Sequence, residues 1–353
     1  MTDKTYRVIQ WATGRLGKIA IRHFAENPMF ELVGAYVSNP EKAGKDAGEI
    51  AGIAPTGVIA TNDSDAIAAI DADAVFYASS PSNVDDICKL LRSGKNVISS
   101  TSFFYPTELF RAQFDAIEAA AREGGVSFSA GGIHPGFAGD LLPLVLSRIV
   151  SRVDKVQVYE YVNFLEEDTE ALWHLEPMGF GVTPEEFHQR PNMLGAGAKI
   201  FAQSMAMIVE GLGKTVDDVT ISVEVATVTK DIELPGAVLK AGTVGAQHHE
   251  WTTYADGKPL VVFHAYYTVG NESLTPDWNV GHTRYRVVIE GDPSTELILQ
   301  APHLPGDPAG HPGYTWTAMG SVTAIPALCA AKPGVVSHRD LGLVEPRGLV
   351  RPA

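Results

Sequence analysis

Over the first 130 residues, short and mostly apolar runs alternate with segments of helical period. Tyr6–Trp11, Phe30–Val37, Asp73–Ala78, Asn96–Ser100 and Val126–Ala130 have the length and composition of buried strands. Lys18–Glu26, Asn83–Arg92 and Glu108–Glu123 carry helical spacing between them. Strands joined through helices need crossover connections, so the pattern predicts an α/β fold with a Rossmann-type, doubly wound parallel sheet.

The pattern changes near residue 141. Val153–Leu165, Val219–Leu234, Gly242–Ala255, Pro259–Val269, Thr283–Ile289 and Leu297–Ala301 are rich in Val, Thr, Tyr and Trp. Several alternate apolar and polar positions, the period of a half-exposed antiparallel sheet. One helical segment, Leu194–Leu212, interrupts them, and a Pro/Gly-rich passage, Pro302–Pro312, leads to a small-residue helix at Tyr314–Ala331. The expected organisation is a dinucleotide-binding domain over 1–140, completed by 305–353. A second α+β domain over 141–304, built on a largely antiparallel sheet, would bind substrate. A broad sheet with one face uncovered needs a partner, so a homodimer through this second domain is expected.

Composition narrows the function. With 42 acidic and 27 basic residues the chain carries a formal charge of -15, the wrong sign for neutralising phosphates, so nucleic acid is excluded as the expected partner. An anionic membrane surface is equally unattractive. Two cysteines, Cys88 and Cys329, cannot build a disulfide framework and suit a reducing compartment. Met1–Val8 lacks the apolar segment of a signal peptide, so a cytoplasmic location is expected. None of the eleven histidines lies in H-E-x-x-H or in a Cys/His zinc spacing, and no metal is expected.

The chemistry begins at the end of the first strand. Gln10-Trp11-Ala12-Thr13-Gly14-Arg15-Leu16-Gly17 follows G-x-G-x-x-G with Ala12 in the first glycine position, in the required strand–turn–helix context. Gly14 would let backbone approach a pyrophosphate seated on the helix N-terminus, and Gly17 would let the helix pack tightly on the strand. At the tip of the second strand, Tyr36-Val37-Ser38-Asn39-Pro40 offers no carboxylate before Glu41 to accept from ribose hydroxyls. Arg15, Lys42 and Lys45 could meet a 2′-phosphate, so NADP(H) is favoured, with NAD(H) also accepted. Ser79, Ser80 and Pro81, after the third strand, complete the expected cofactor contacts.

Three segments together carry a family resemblance: Gly14-Arg15-Leu16-Gly17, Gly94-Lys95-Asn96-Val97 and Gly131-Gly132-Ile133-His134-Pro135-Gly136-Phe137. With Met178-Gly-Phe-Gly181 and Ala324-Ile325-Pro326, they resemble the dihydrodipicolinate-reductase-like oxidoreductases, and within that group the 2,4-diaminopentanoate dehydrogenases and native amine dehydrogenases. The resemblance spans nearly the whole chain. It implies an NAD(P)-dependent homodimer that interconverts amines with ketones or aldehydes plus ammonia. It also implies an essential glutamate just past the fourth or fifth strand, which here matches Glu108. His134 departs from the asparagine that the resemblance leads one to expect before Pro-Gly-Phe. Dihydrodipicolinate reductase itself fits poorly: His248-His249 is not followed by the required lysine, so the pair reads as a solvated or interfacial feature.

Glu108 also has a reading of its own. Behind Pro106 it would sit in the first turn of a helix, where a carboxylate can simply cap or complement the helix dipole. Yet it follows the carboxyl end of a parallel strand, the side where such sheets bind ligands. Beside Phe103, Phe104 and Tyr105 it would be partly desolvated and its pKa raised toward useful acid–base values. Candidate substrate-pocket residues are His134 and Phe137 at the domain junction, with Tyr161, Asn163, Trp173, Phe180 and His264 in the second domain. The expected reaction is reversible reductive amination of a small ketone or aldehyde. The rivals are reduction of a preformed imine or carbonyl without ammonia, and a nucleotide sensor without turnover.

Overall fold

The computed structural model describes residues 4–166, 175–190, 195–234, 237–269, 273–302, 304 and 312–350. It divides into two compact units, residues 1–137 with 313–353, and 138–312. In the first unit β1 (Tyr6–Trp11), α1 (Arg15–Glu26), β2 (Phe30–Tyr36), α2 (Ala47–Ala51), α3 (Ser64–Ala69), β3 (Ala74–Tyr77), α4 (Val84–Arg92), β4 (Asn96–Ser99), α5 (Arg111–Gly124) and β5 (Ser127–Ala130) follow in order. Asn83 caps α4 by accepting from Asp85 N–H, while Gly125, at φ 67°, ends α5 in the left-handed region that glycine adopts without strain. The helical period at Glu108 starts as a short 3₁₀ turn, Glu108–Phe110, before α5 begins at Arg111.

The second unit contains α6 (Leu141–Ser147), β6 (Arg152–Asn163), α7 (Pro184–Gln189), α8 (Gly195–Gly211), β7 (Asp218–Val228), β8 (Ile232–Leu234), β9 (Ala237–Leu239), β10 (Val244–Ala255), β11 (Lys258–Thr268), β12 (Leu274–Thr275), β13 (Arg284–Asp292) and β14 (Thr295–Gln300). The chain then returns to the first unit as α9 (Gly313–Val322), α10 (Ile325–Ala330), β15 (Gly334–Val335) and α11 (His338–Leu341). The expected single helix over 314–331 is thus two. Pro326 lacks the N–H that a continuous helix needs and instead begins α10.

All strands of the first sheet are parallel, in the order β15-β5-β4-β3-β1-β2. The chain winds from β1 outward to β2, then crosses back over β1 to β3. That reversal opens a crevice beyond the carboxyl ends of β1 and β3, the place where open α/β sheets take ligands. Val8, Phe24, Phe76, Ile98, Val322, Ile325 and Leu328 form one core beneath it, so the returning segment is part of this unit's interior.

The second sheet runs β12-β7-β10-β11-β6-β13-β14 and is antiparallel except for the β11–β6 pair. On one face Val156, Val158, Trp251, Phe263, Val287 and Ile289 pack against Met205, Ile208 and Val209 of α8. The strand period sends the alternate residues to the other face, where register lines them into rows. One row reads Glu224, His248, Tyr266, Tyr161, Arg284, and the next Ser222, Glu250, His264, Tyr159, Arg286. The His248-His249 pair is therefore split. His248 lies on this second face, and His249 turns into the interior at 5% exposure, where burial and then the charge of His248 push its pKa down to about 4. Of the pair expected as a solvated or interfacial feature, His249 is thus not solvated.

Candidate active site

The fingerprint loop is held by one polar side chain inside an apolar strand. Gln10 is fully buried, and its Nε2 donates to the carbonyls of Ala12 (2.8 Å), Trp11 (3.2 Å) and Phe76 (3.4 Å). Ala12 stands at φ 73°, a left-handed conformation that favours the glycine it replaces. A Cβ at Gly17 would lie 2.1 Å from the Ala12 oxygen, so only glycine lets α1 approach the strand this closely. A Cβ at Gly14 would meet no heavy atom within 4 Å, leaving open space beside the backbone at the start of α1. The first turn of α1 has no acidic residue, and Gly14 supplies no side-chain cap. Its amide donors and its positive end thus suit an anion such as a dinucleotide's pyrophosphate. Thr13 is buried in this loop, and Leu16 packs against the core.

Two cations associated with the loop occupy different positions. Lys42 Nζ donates to the Thr13 carbonyl at 3.2 Å, set there by the turn Pro40–Lys42, which Asn39 caps by accepting from Glu41 N–H. The Arg15 guanidinium lies 4.8 Å over the Tyr314 ring of α9. Ser38 and Asn39 are exposed at the β2 tip. Ser79, Ser80 and Pro81 follow the carboxyl end of β3, beside the reversal point, and the Tyr77 hydroxyl accepts from Asn83 N–H just beyond them.

Glu108 follows β4 on the same carboxyl side of the sheet, but its surroundings overturn the expected desolvation. Phe103, Phe104 and Tyr105 turn inward and are buried, Phe103 against Phe110 and Phe114. The Glu108 side chain is 81% exposed and paired with Arg111, one turn along. That hydrogen bond and the guanidinium charge hold its carboxyl below the usual range rather than above it. The rings go to the core because they gain more there than a charge could tolerate. Among the described residues Glu108 is thus an anion through the neutral range.

Segment 131–137 is fixed by close backbone contacts within the first unit. A Cβ at Gly131 would lie 2.1 Å from His338 Nε2, and one at Gly136, where φ is +122°, would lie 2.4 Å from Gly132 N. Ser321 Oγ donates to the Gly131 carbonyl at 2.6 Å. His134, ahead of a cis peptide to Pro135, is half-buried, and Phe137 is 38% exposed.

Phe180 is core, 3% exposed and edge-on to Phe164. Asn163 ends β6, where its side chain accepts from Leu165 N–H and its backbone N–H donates to Thr283. Tyr161 and His264 belong to neighbouring rows of the second face, and Tyr159 stacks on His264. Trp173 lies outside the described residues. Sequence reasoning missed Gln10, Tyr314 and Arg111. Gln10 alone left a signal, a polar residue within a buried run that leads into glycines.

Known proteins share this arrangement. Residues 8–130 match the family model of the dihydrodipicolinate reductase N-terminus, and residues 137–350 that of the 2,4-diaminopentanoate dehydrogenase C-terminal domain. The chain is 31% identical to an amine dehydrogenase of Streptomyces virginiae over 95% of its own length and 96% of that protein's. It is 29% identical to the 2,4-diaminopentanoate dehydrogenase of Acetoanaerobium sticklandii over 75% and 71% of the two chains. In structure it matches the amine dehydrogenase of Mycobacterium smegmatis with a TM-score of 0.79 at 19% identity, covering 97% and 98% of the chains.

Proposed function

The chain belongs to the amine dehydrogenase and 2,4-diaminopentanoate dehydrogenase family, nicotinamide-dependent oxidoreductases acting on CH–NH2 donors, and from that premise we propose that it carries out the reversible reductive amination of a small ketone or aldehyde with ammonia. The observation that carries the reading is the pairing of the open loop at Ala12–Gly17 with an anionic side chain, Glu108, on the carboxyl side of the same parallel sheet. NADP(H) is the preferred cofactor, with NAD(H) accepted. The Lys42 amine at the fingerprint and the absence of a carboxylate at Ser38–Asn39 support this preference.

The bound nicotinamide supplies or accepts the hydride. Ala12–Gly17 and the α1 N-terminus would hold its phosphates, Lys42 and Arg15 would neutralise a 2′-phosphate, and Ser38, Asn39 and Ser79–Pro81 would line the remaining edge. Ammonia adds to the substrate carbonyl, water leaves, and the resulting iminium is reduced. Glu108 steadies that cation and takes a proton from the attacking nitrogen. Since Arg111 keeps it ionised, its role leans on charge more than on a proton held near neutrality. His134 and Phe137 are assigned to the substrate side. The protein works in the cytoplasm as a homodimer joined through the second sheet, whose aromatic rows would be covered by the partner. Sedimentation at micromolar concentration should give about twice 37.8 kDa, and a monomer would refute this assembly.

The test is a panel of small ketones and aldehydes with NADPH or NADH, each with and without ammonium. Ammonium-dependent cofactor oxidation is expected. Equal oxidation without ammonium would assign the protein to reduction of preformed imines or carbonyls, and none under any condition would point to a nucleotide sensor.

A further inference from the structure

The rows on the second sheet bring together three side chains that sequence spacing kept apart. Glu250 stands directly opposite His264 on the neighbouring strand, and His248 lies two residues before Glu250 on the same face. His248 Nε2 and His264 Nδ1 are 3.2 Å apart, and His264 Nδ1 is 3.5 Å from Glu250 Oε2. One ligand atom from each of the three lies within 4.8 Å of the others. From these contacts we propose that His248, Glu250 and His264 form a binding site for a divalent transition-metal ion of the zinc type, distinct from the amine chemistry.

Hydrogen bonds set how the two rings would receive an ion. Gln157 Nε2 donates to Glu290, so Gln157 Oε1 is an acceptor, and the Tyr159 hydroxyl already donates to it at 2.9 Å. His264 Nε2, 3.3 Å from the same oxygen, therefore carries the ring's proton. That leaves His264 Nδ1 as an acceptor, to which His248 Nε2 donates at 3.2 Å, with Glu250 Oε2 3.5 Å away. A metal ion entering here takes the place of that shared proton, and His248 then holds its own on Nδ1, which faces Glu224 Oε2 at 3.8 Å. Each ring would then direct an outer N–H away from the centre and an inner lone pair to the ion, as metal-bound histidines do.

Tetrahedral zinc with bonds of about 2.0–2.1 Å separates adjacent ligand atoms by roughly 3.3 Å, close to the two short distances seen. The rings meet head-on, with centroids 5.4 Å apart and planes differing by 17°, so seating an ion requires each to pivot in its own plane. Tyr159 stacked on His264 and Tyr266 stacked on His248 permit that motion, because an in-plane turn preserves the stacks. The neighbouring cations Lys155 and Arg286 are engaged by Glu290 and Glu296. Two histidines and one glutamate leave a fourth position for water.

The test uses the full-length, tag-free protein after treatment with a chelator. Titration with Zn2+ should give one ion per chain, or one per pair of chains if partners share it, with micromolar or tighter affinity. Co2+ should develop the visible absorption of a tetrahedral site. Glu250→Gln and His248→Gln should each weaken binding at least tenfold, while circular dichroism stays native and exposed His188→Gln leaves affinity unchanged. No binding at 100-fold micromolar excess, or affinity unmoved by both substitutions, would overturn the assignment. Amination activity plays no part in this readout, so the site and the proposed reaction stand or fall separately.

Discussion

Two glycines in one loop should fail in opposite ways when each is replaced by alanine. At Gly17 the new methyl would lie 2.1 Å from the Ala12 oxygen and 3.0 Å from its carbonyl carbon. Ordinary contact between such atoms is nearer 3.5 Å, so the loop or α1 must move by roughly 1 Å. That movement strains the 2.8 Å bond from the fully buried Gln10 side chain to the Ala12 carbonyl. Overpacking costs about 1–3 kcal/mol and a buried amide donor left short of its acceptor about 1–3 more, giving a loss on the order of 2–5 kcal/mol. Gly14 differs. Its φ of -70° suits alanine, and nothing lies within 4 Å of the new methyl. Stability should hold, or rise by up to about 1 kcal/mol through the unfolded state. The methyl would instead intrude where a pyrophosphate must approach, so NADPH affinity should fall at least tenfold. Urea unfolding and calorimetric NADPH titration of both variants separate these outcomes. Wild-type stability for Gly17→Ala, or wild-type NADPH affinity for Gly14→Ala, would refute the loop's assignment.

Other expectations follow from the same residues. Ser38→Asp should shift preference toward NAD(H), measured as the ratio of the two dissociation constants, because the carboxylate repels a 2′-phosphate and binds a free hydroxyl. Glu108→Gln should fold normally, since the side chain is exposed, yet lower the amination rate on the order of a hundredfold; near-normal turnover would return Glu108 to a surface role. Arg111→Gln should raise the Glu108 pKa, seen as a rate loss that appears first on the acid side of the pH profile. His249 should make the second unit acid-sensitive. Its folded pKa of about 4 lies below the unfolded value of about 6.5, so the unfolded chain binds a proton that the folded one refuses. Its contribution is complete above pH 6.5 and is lost as pH falls toward 4, on the order of 3 kcal/mol in all. Urea midpoints between pH 7 and 4.5 should flatten by about one proton's slope in His249→Gln.

Much of this was legible because local period and buried strand length are strong signals. Tyr6–Trp11 was read to the residue, and the two patterns match a parallel first sheet and a largely antiparallel second one. What escaped depends on long-range placement. Nothing in Phe103-Phe104-Tyr105 reveals that the rings turn away from Glu108, because orientation there is decided by Phe110, Phe114 and the Arg339 bond to Tyr105. A cation over Tyr314 joins residues from opposite ends of the chain. The His248, Glu250 and His264 cluster matches no motif because register between β10 and β11, rather than spacing along one strand, assembles it.

The central claim is that nitrogen from ammonia and hydride from the nicotinamide enter the same product. The protein should be incubated with a ketone it turns over, NADPH carrying deuterium at the transferable position, and isotopically labelled ammonium. Mass spectrometry should then find an amine that bears both labels on one carbon centre. A deuterated product without labelled nitrogen, formed equally well when ammonium is withheld, would contradict the account.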